Sequence, residues 1–292
     1  MTLVAALVSP IGLGRLAPAN RARAASLGRA TLVTVGAPLP ARPLPRGFLG
    51  LSLEYRAIPE YAGRDPKAIN PLLVRLIDAL SPGEHPQLRI GGDSTDRGWW
   101  PARGVDKPRG AYIRLTRQWG AVAGALVRAT AARVILGIDL EADSGAVARV
   151  EATRLVSALG RGQVRALELG NEPELYSAFT WSHAHGRKLP GRAPGWNFGA
   201  YLRDFSMVAA SLPRVPLAGP AVGSLKWLGY IGSFMSAEPR VRIVTLHRYP
   251  LQRCYVAPGA QIYPTIAHLL APASTAGLAA SIARDVTLAH AR

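Results

Sequence analysis

The feature that most constrains this chain is an alternation of short apolar runs with longer amphipathic ones, repeated six times. The short runs lie at 48–53, 87–90, 133–140, 164–169, 215–218 and 241–246. They read as strands buried on both faces, which are apolar throughout and do not alternate. The longer runs, at 70–80, 112–130, 146–159, 198–212, 227–235 and 276–290, read as helices, with Asn197 placed to cap the fourth. Six strand–helix units in succession predict a parallel sheet with crossover helices. A doubly wound nucleotide-binding sheet needs the same alternation. However, no Gly-x-Gly-x-x-Gly follows the first strand, and no Gly-Lys-Ser/Thr cradle follows any strand. The pattern therefore favours an α/β fold of the (β/α)8 barrel type over residues 47–292, incomplete at about six βα units.

Residues 1–30 read as a separate leader. An apolar stretch at 3–13 is broken by Pro10 and Gly12, and small residues and arginines follow. This matches the apolar part and cleavage region of a secretory signal without its basic start, so a secreted or cell-surface protein is expected. Residues 31–46 read as an accessory strand followed by a stiff connector carrying Pro38, Pro40, Pro43 and Pro45. No apolar run is long enough to span a bilayer. The formal charge of +17, mostly from arginine, is compatible with biased composition, an acidic glycan or nucleic acid. The basic residues are scattered, without an arginine-rich tract or zinc-finger spacing, so nucleic acid has no motif behind it. Cys254 is the sole cysteine, which excludes an internal disulfide, and the histidines lack metal-ligand spacing. No metal or other cofactor is expected.

In a parallel barrel the C-terminal strand ends converge on one mouth. Glu54, Asp93, Ser94, Asp139, Asn171, Glu172, His247 and Tyr249 all follow predicted strands and would ring it. Carboxylates and hydroxyls with aromatic neighbours suit a sugar. Trp99, Trp100, Trp181 and Trp196 either stack on that sugar or anchor their own loops. Gly170-Asn171-Glu172-Pro173 is the sharpest of these turns. A glutamate beside an apolar strand end has its pKa raised by desolvation, which suits proton donation near neutral pH. A solvated turn carboxylate is the alternative reading. Glu168, inside the same strand, reads as structural.

Three segments in order, Arg89-Ile90-Gly91-Gly92-Asp93-Ser94-Thr95-Asp96, Leu167-Glu168-Leu169-Gly170-Asn171-Glu172-Pro173 and Leu246-His247-Arg248-Tyr249-Pro250-Leu251, together resemble glycoside hydrolase family 79, the family of bacterial β-glucuronidases and heparanase. The resemblance runs from about residue 31 to the end. It implies a (β/α)8 barrel with a small β-sandwich built from both termini, and retaining hydrolysis of uronic-acid glycosides. Glu172 matches the acid/base, and Asn171 its partner at the sugar's 2-hydroxyl. Glu54, Asp93, Ser94, His247 and Tyr249 are expected to bind substrate, a glucuronide or another acidic glycan. Asp139 stands where an asparagine is more usual.

The family's nucleophile is a glutamate at the end of the seventh strand. No glutamate follows Glu238 here, and Asp285 lies in a helical pattern. The expectation is a fragment with open sheet edges, prone to aggregate or hydrolytically inactive by itself. The alternative is a non-catalytic relative that binds acidic glycans.

Overall fold

The computed structural model describes residues 48–291. These belong to the unit Leu44–Arg292; the other unit, Met1–Pro43, lies outside the described residues. So do the expected leader, accessory strand and connector.

Six parallel strands form one curled half-barrel. In sequence and in space the order is β1 (Gly50–Leu53), β2 (Gln87–Ile90), β3 (Arg133–Ile138), β4 (Val164–Leu169), β5 (Leu217–Val222) and β6 (Val241–Leu246). Among the described residues β1 and β6 each pair on one side only. Between them run α1 (Ala57–Tyr61), α2 (Pro71–Leu80), α3 (Arg117–Ala129), α4 (Gly145–Leu159), α5 (Phe198–Ser211), α6 (Leu225–Leu228) and α7 (Ile231–Ala237). Three further helices, α8 (Ile266–Leu270), α9 (Ala276–Ala280) and α10 (Ala283–His290), follow β6. No described helix is long and apolar enough to cross a membrane.

Local chemistry explains the helix starts. The side chains of Asn70, Thr116, Ser144 and Asn197 accept from Leu72, Trp119, Val147 and Ala200 N–H groups, capping α2, α3, α4 and α5. Pro71 adds a preset φ to the first turn of α2. Helices α3 and α4 approach so closely that a Cβ on Gly124 would lie 2.2 Å from the Ala158 carbonyl oxygen. Phe205 and Phe234 meet edge to face at 5.0 Å, binding α5 to α7. Every residue of β5 is buried, and all but Arg165 of β4, as parallel strands covered on both faces require.

Several elements depart from the sequence reading. The helix expected over 112–130 begins at Arg117, because Ile113–Arg114 pairs with Gly98–Trp99 and Thr116 then caps. The runs at 227–235 and 276–290 each divide into two helices. Strand β5 starts later than expected and continues through Pro220, whose partner Thr245 borders a register shift. A proline there forfeits no regular ladder bond. The loop at 176–196 contains an antiparallel hairpin, Thr180–Ala184 with Arg187–Pro190.

Candidate active site

Strand β4 ends at Leu169, and Gly170 turns the chain at φ 75°. Glu172 then takes the left-handed conformation, φ 47° and ψ 55°. A branchless glycine would adopt this freely; for glutamate it costs about 1 kcal/mol or more, so its surroundings must hold it. One restraint is visible in the backbone: Glu172 N–H donates to Ala221 O at the end of β5, at 2.9 Å. The Glu172 carboxylate meets His247 Nδ1 at 2.8 Å, and His247 N–H is itself tied to Val222 O at 2.9 Å. Three neighbouring strand ends therefore fix one half-buried carboxyl group.

Asn171 is held from both sides. Its N–H donates to Asp96 Oδ2 at 2.9 Å, and its Oδ1 accepts from Arg89 Nη2 at 2.9 Å. Its Nδ2 has no partner among the described residues. Arg89 Nε in turn donates to the buried Glu168 carboxylate at 2.5 Å. Glu168 is thus structural, as expected, but its partner is Arg89; Arg165 donates instead to Gln87 Oε1 at 2.9 Å.

On the β1–β2 side, Glu54 accepts from Asp93 N–H at 3.1 Å, Ser94 N–H at 2.8 Å and the Ser94 hydroxyl. Gly92 makes this possible: at φ 96° a Cβ would stand 2.3 Å from Glu54 Oε1.

These groups open onto a cleft of about 550 Å³, lined by Glu54, Arg89, Asp93, Asn171, Glu172, His247 and Tyr249, with Phe179 and Tyr255 as further aromatic walls. Tyr249 is 70% exposed. Partial burial, with the Glu172 charge beside it, raises its phenol pKa and keeps it a hydrogen-bond donor. Exposed Cys254 directly precedes Tyr255. A 560 Å³ groove between β6 and α10 lies elsewhere and holds none of these residues.

Of the residues expected at the mouth, Glu54, Asp93, Asn171, Glu172, His247 and Tyr249 share the cleft. Ser94 is buried and supports Glu54 without lining the cleft. Asp139 is fully buried, so the mouth position expected for it is corrected. The four tryptophans do not line the cleft either: Trp181 Nε1 donates to Asp96 O at 2.9 Å and Trp196 Nε1 to Pro173 O at 2.7 Å, anchoring their loops. Aromatic faces come instead from Phe179, Tyr249 and Tyr255. No group of three or more potential metal ligands exists among the described residues.

Sequence reading missed Asp96. This buried carboxylate accepts from Leu140 N–H at 3.0 Å, Glu141 N–H at 3.2 Å, Asn171 N–H and Tyr176 OH at 2.8 Å, joining three strand ends behind the cleft. Its separation of three residues from Asp93 was the available signal.

No family model matches the chain. A β-glucuronidase of Neurospora crassa is 26% identical over 195 residues, which are 59% of this chain and 32% of that protein. Among solved structures, a 4-O-α-L-rhamnosyl-β-D-glucuronidase from Fusarium oxysporum 12S, in complex with Rha-GlcA, aligns with a TM-score of 0.58 and 21% identity. That alignment covers 83% of this chain and 51% of the other. The chain thus spans about a third of the first relative and about half of the second. The structural likeness bears on the fold: the half-barrel corresponds to part of that larger protein.

Proposed function

We propose that this chain carries the acid/base half of a glycoside hydrolase site for β-glucuronides. One observation carries the reading: Glu172 and Asn171 stand side by side at the end of β4, with Glu172 paired to His247 over a cleft of sugar size. Similarity to a β-glucuronidase supports the choice of glycoside.

In this reading Glu172 donates its proton to the glycosidic oxygen as the aglycone leaves. Asn171 Nδ2, without a protein partner, donates to the sugar's 2-hydroxyl. Tyr249 and Tyr255 cover the apolar ring face, and Glu54 and Asp93 accept from the remaining hydroxyls. Arg89, the permanent cation of the cleft wall, faces the uronate carboxylate.

Retention of configuration requires a second, unencumbered carboxylate about 5–5.5 Å from the acid. Glu54 is engaged by three donors and does not meet that need. We therefore propose that the chain by itself binds a glucuronide without turning it over. Calorimetric titration with 4-nitrophenyl β-D-glucuronide tests both parts. Binding should be at least tenfold tighter than for the matching galactoside, with no nitrophenol released. Absence of binding overturns the glucuronide reading. Nitrophenol release that disappears in Glu172→Gln overturns the absence of a nucleophile.

A further inference from the structure

Glu174 follows Glu172 by two residues yet does not line the cleft. Its Oε1 accepts two backbone bonds from the end of β5, Gly223 N–H at 2.5 Å and Ser224 N–H at 2.8 Å. Its Oε2 is buried without a partner among the described residues. The clamped backbone touches the acid itself: a Cβ on Gly223 would lie 3.3 Å from Glu172 Oε1 and 3.5 Å from Glu174 Oε1. The four residues after Pro220 therefore organise the whole corner. Ala221 O takes the Glu172 N–H, Val222 O takes the His247 N–H, and residues 223 and 224 give theirs to Glu174.

We propose that Glu174 is a positioning residue that clamps the 223–224 backbone and so holds the Glu172 carboxyl against His247. This inference rests on the glucuronide reading above. The left-handed backbone of Glu172 must be held by its neighbours, and the Glu174 clamp is the one side-chain restraint that joins its turn to the end of β5. Burial pushes the Glu174 carboxyl up toward its neutral form, the form that glutamine imitates, with one carbonyl oxygen facing the same two donors.

The test compares the full chain with Glu174→Ala and Glu174→Gln, reading the Kd for 4-nitrophenyl β-D-glucuronide and the amide exchange of Gly223 and Ser224. Alanine should weaken binding on the order of tenfold, as loss of a supporting contact does when it misplaces a reacting group. It should also speed exchange at both amides. Glutamine should restore both. Equal binding by all three proteins overturns the positioning role and leaves the glucuronide reading intact. Loss in both variants overturns the neutral-acceptor role, and no binding by the wild type overturns the reading itself. If Glu174→Ala does not fold, Ser224→Pro carries the test: φ at Ser224 is −78°, within proline's range, and the change deletes one clamped N–H. About threefold weaker binding is expected on the same scale of misplacement; unchanged binding overturns the proposal.

Discussion

Two sets of carboxylates occupy the same end of the sheet. Glu54, Asp93 and Glu172 face the open cleft, while Asp96, Asp139, Glu141 and Glu151 lie buried. The sets interleave in sequence, with Asp93 three residues from Asp96. Burial raises the pKa of every member of the inner set. Asp96 and Asp139 are both raised; Glu141 goes to about 9 and Glu151 to about 8, although backbone donors or nearby arginines pull back on each. Acids of the same kind at the same strand ends thus divide by depth. The outer ones are presented to a ligand, and the inner ones bolt the strand ends together and tend toward neutrality.

The largest effect that would break this contrast is expected at Asp96. Replacing it with alanine strands three buried N–H groups and the Tyr176 hydroxyl, and should lower the unfolding free energy by about 3–5 kcal/mol. A loss below about 1 kcal/mol in urea denaturation would show that Asp96 bolts nothing.

Glu151 tests the neutrality of the inner set. It is fully buried, receives Tyr55 OH at 3.2 Å and Asp139 N–H at 3.1 Å, and lies in the field of Asp96. Its folded pKa of about 8 exceeds the ordinary 4.5, so between those values the folded state keeps a proton that the unfolded state has released. The resulting stability is whole below about pH 4.5 and is lost as pH rises through about 8, at up to about 1.4 kcal/mol per pH unit. Denaturation midpoints from pH 5 to 9 should fall accordingly. Glu151→Gln should flatten the slope up to pH 8 and leave the part that Glu141 extends to about 9.

The smallest effect on folding is expected in the outer set's surroundings. Tyr249→Ala should change stability by no more than about 0.5 kcal/mol, since the side chain is mostly exposed. Glucuronide affinity should nonetheless fall severalfold by calorimetry. A destabilised protein with unaltered affinity would reverse the assignment of Tyr249 to the ligand side.

Strands β2, β4 and β6 fall where their apolar runs begin and end, because a strand covered on both faces leaves little freedom in composition. The residues just beyond them were legible for the same reason. Contacts between distant segments were not. Nothing local in Asp96 or Glu174 announces that its partners lie 44 to 80 residues away or beyond Pro220. The hairpin at 180–190 was hidden because its residues carry no regular alternation, and it takes its place by hanging from Asp96 O and Arg97 through Trp181. Asp139 was misplaced because sequence gives the strand end but not the depth. One residue short of the rim, the side chain faces α4, and its backbone N–H meets Glu151 instead of solvent.

The position of Cys254 has a practical consequence. It is the chain's single thiol, it is exposed, and its neighbour Tyr255 forms part of the cleft wall. A maleimide fluorophore would attach there alone, at the threshold of the cavity and away from the hydrogen-bonded acids. Quenching or polarisation of that dye would then follow occupancy directly, without a chromogenic substrate and without any turnover.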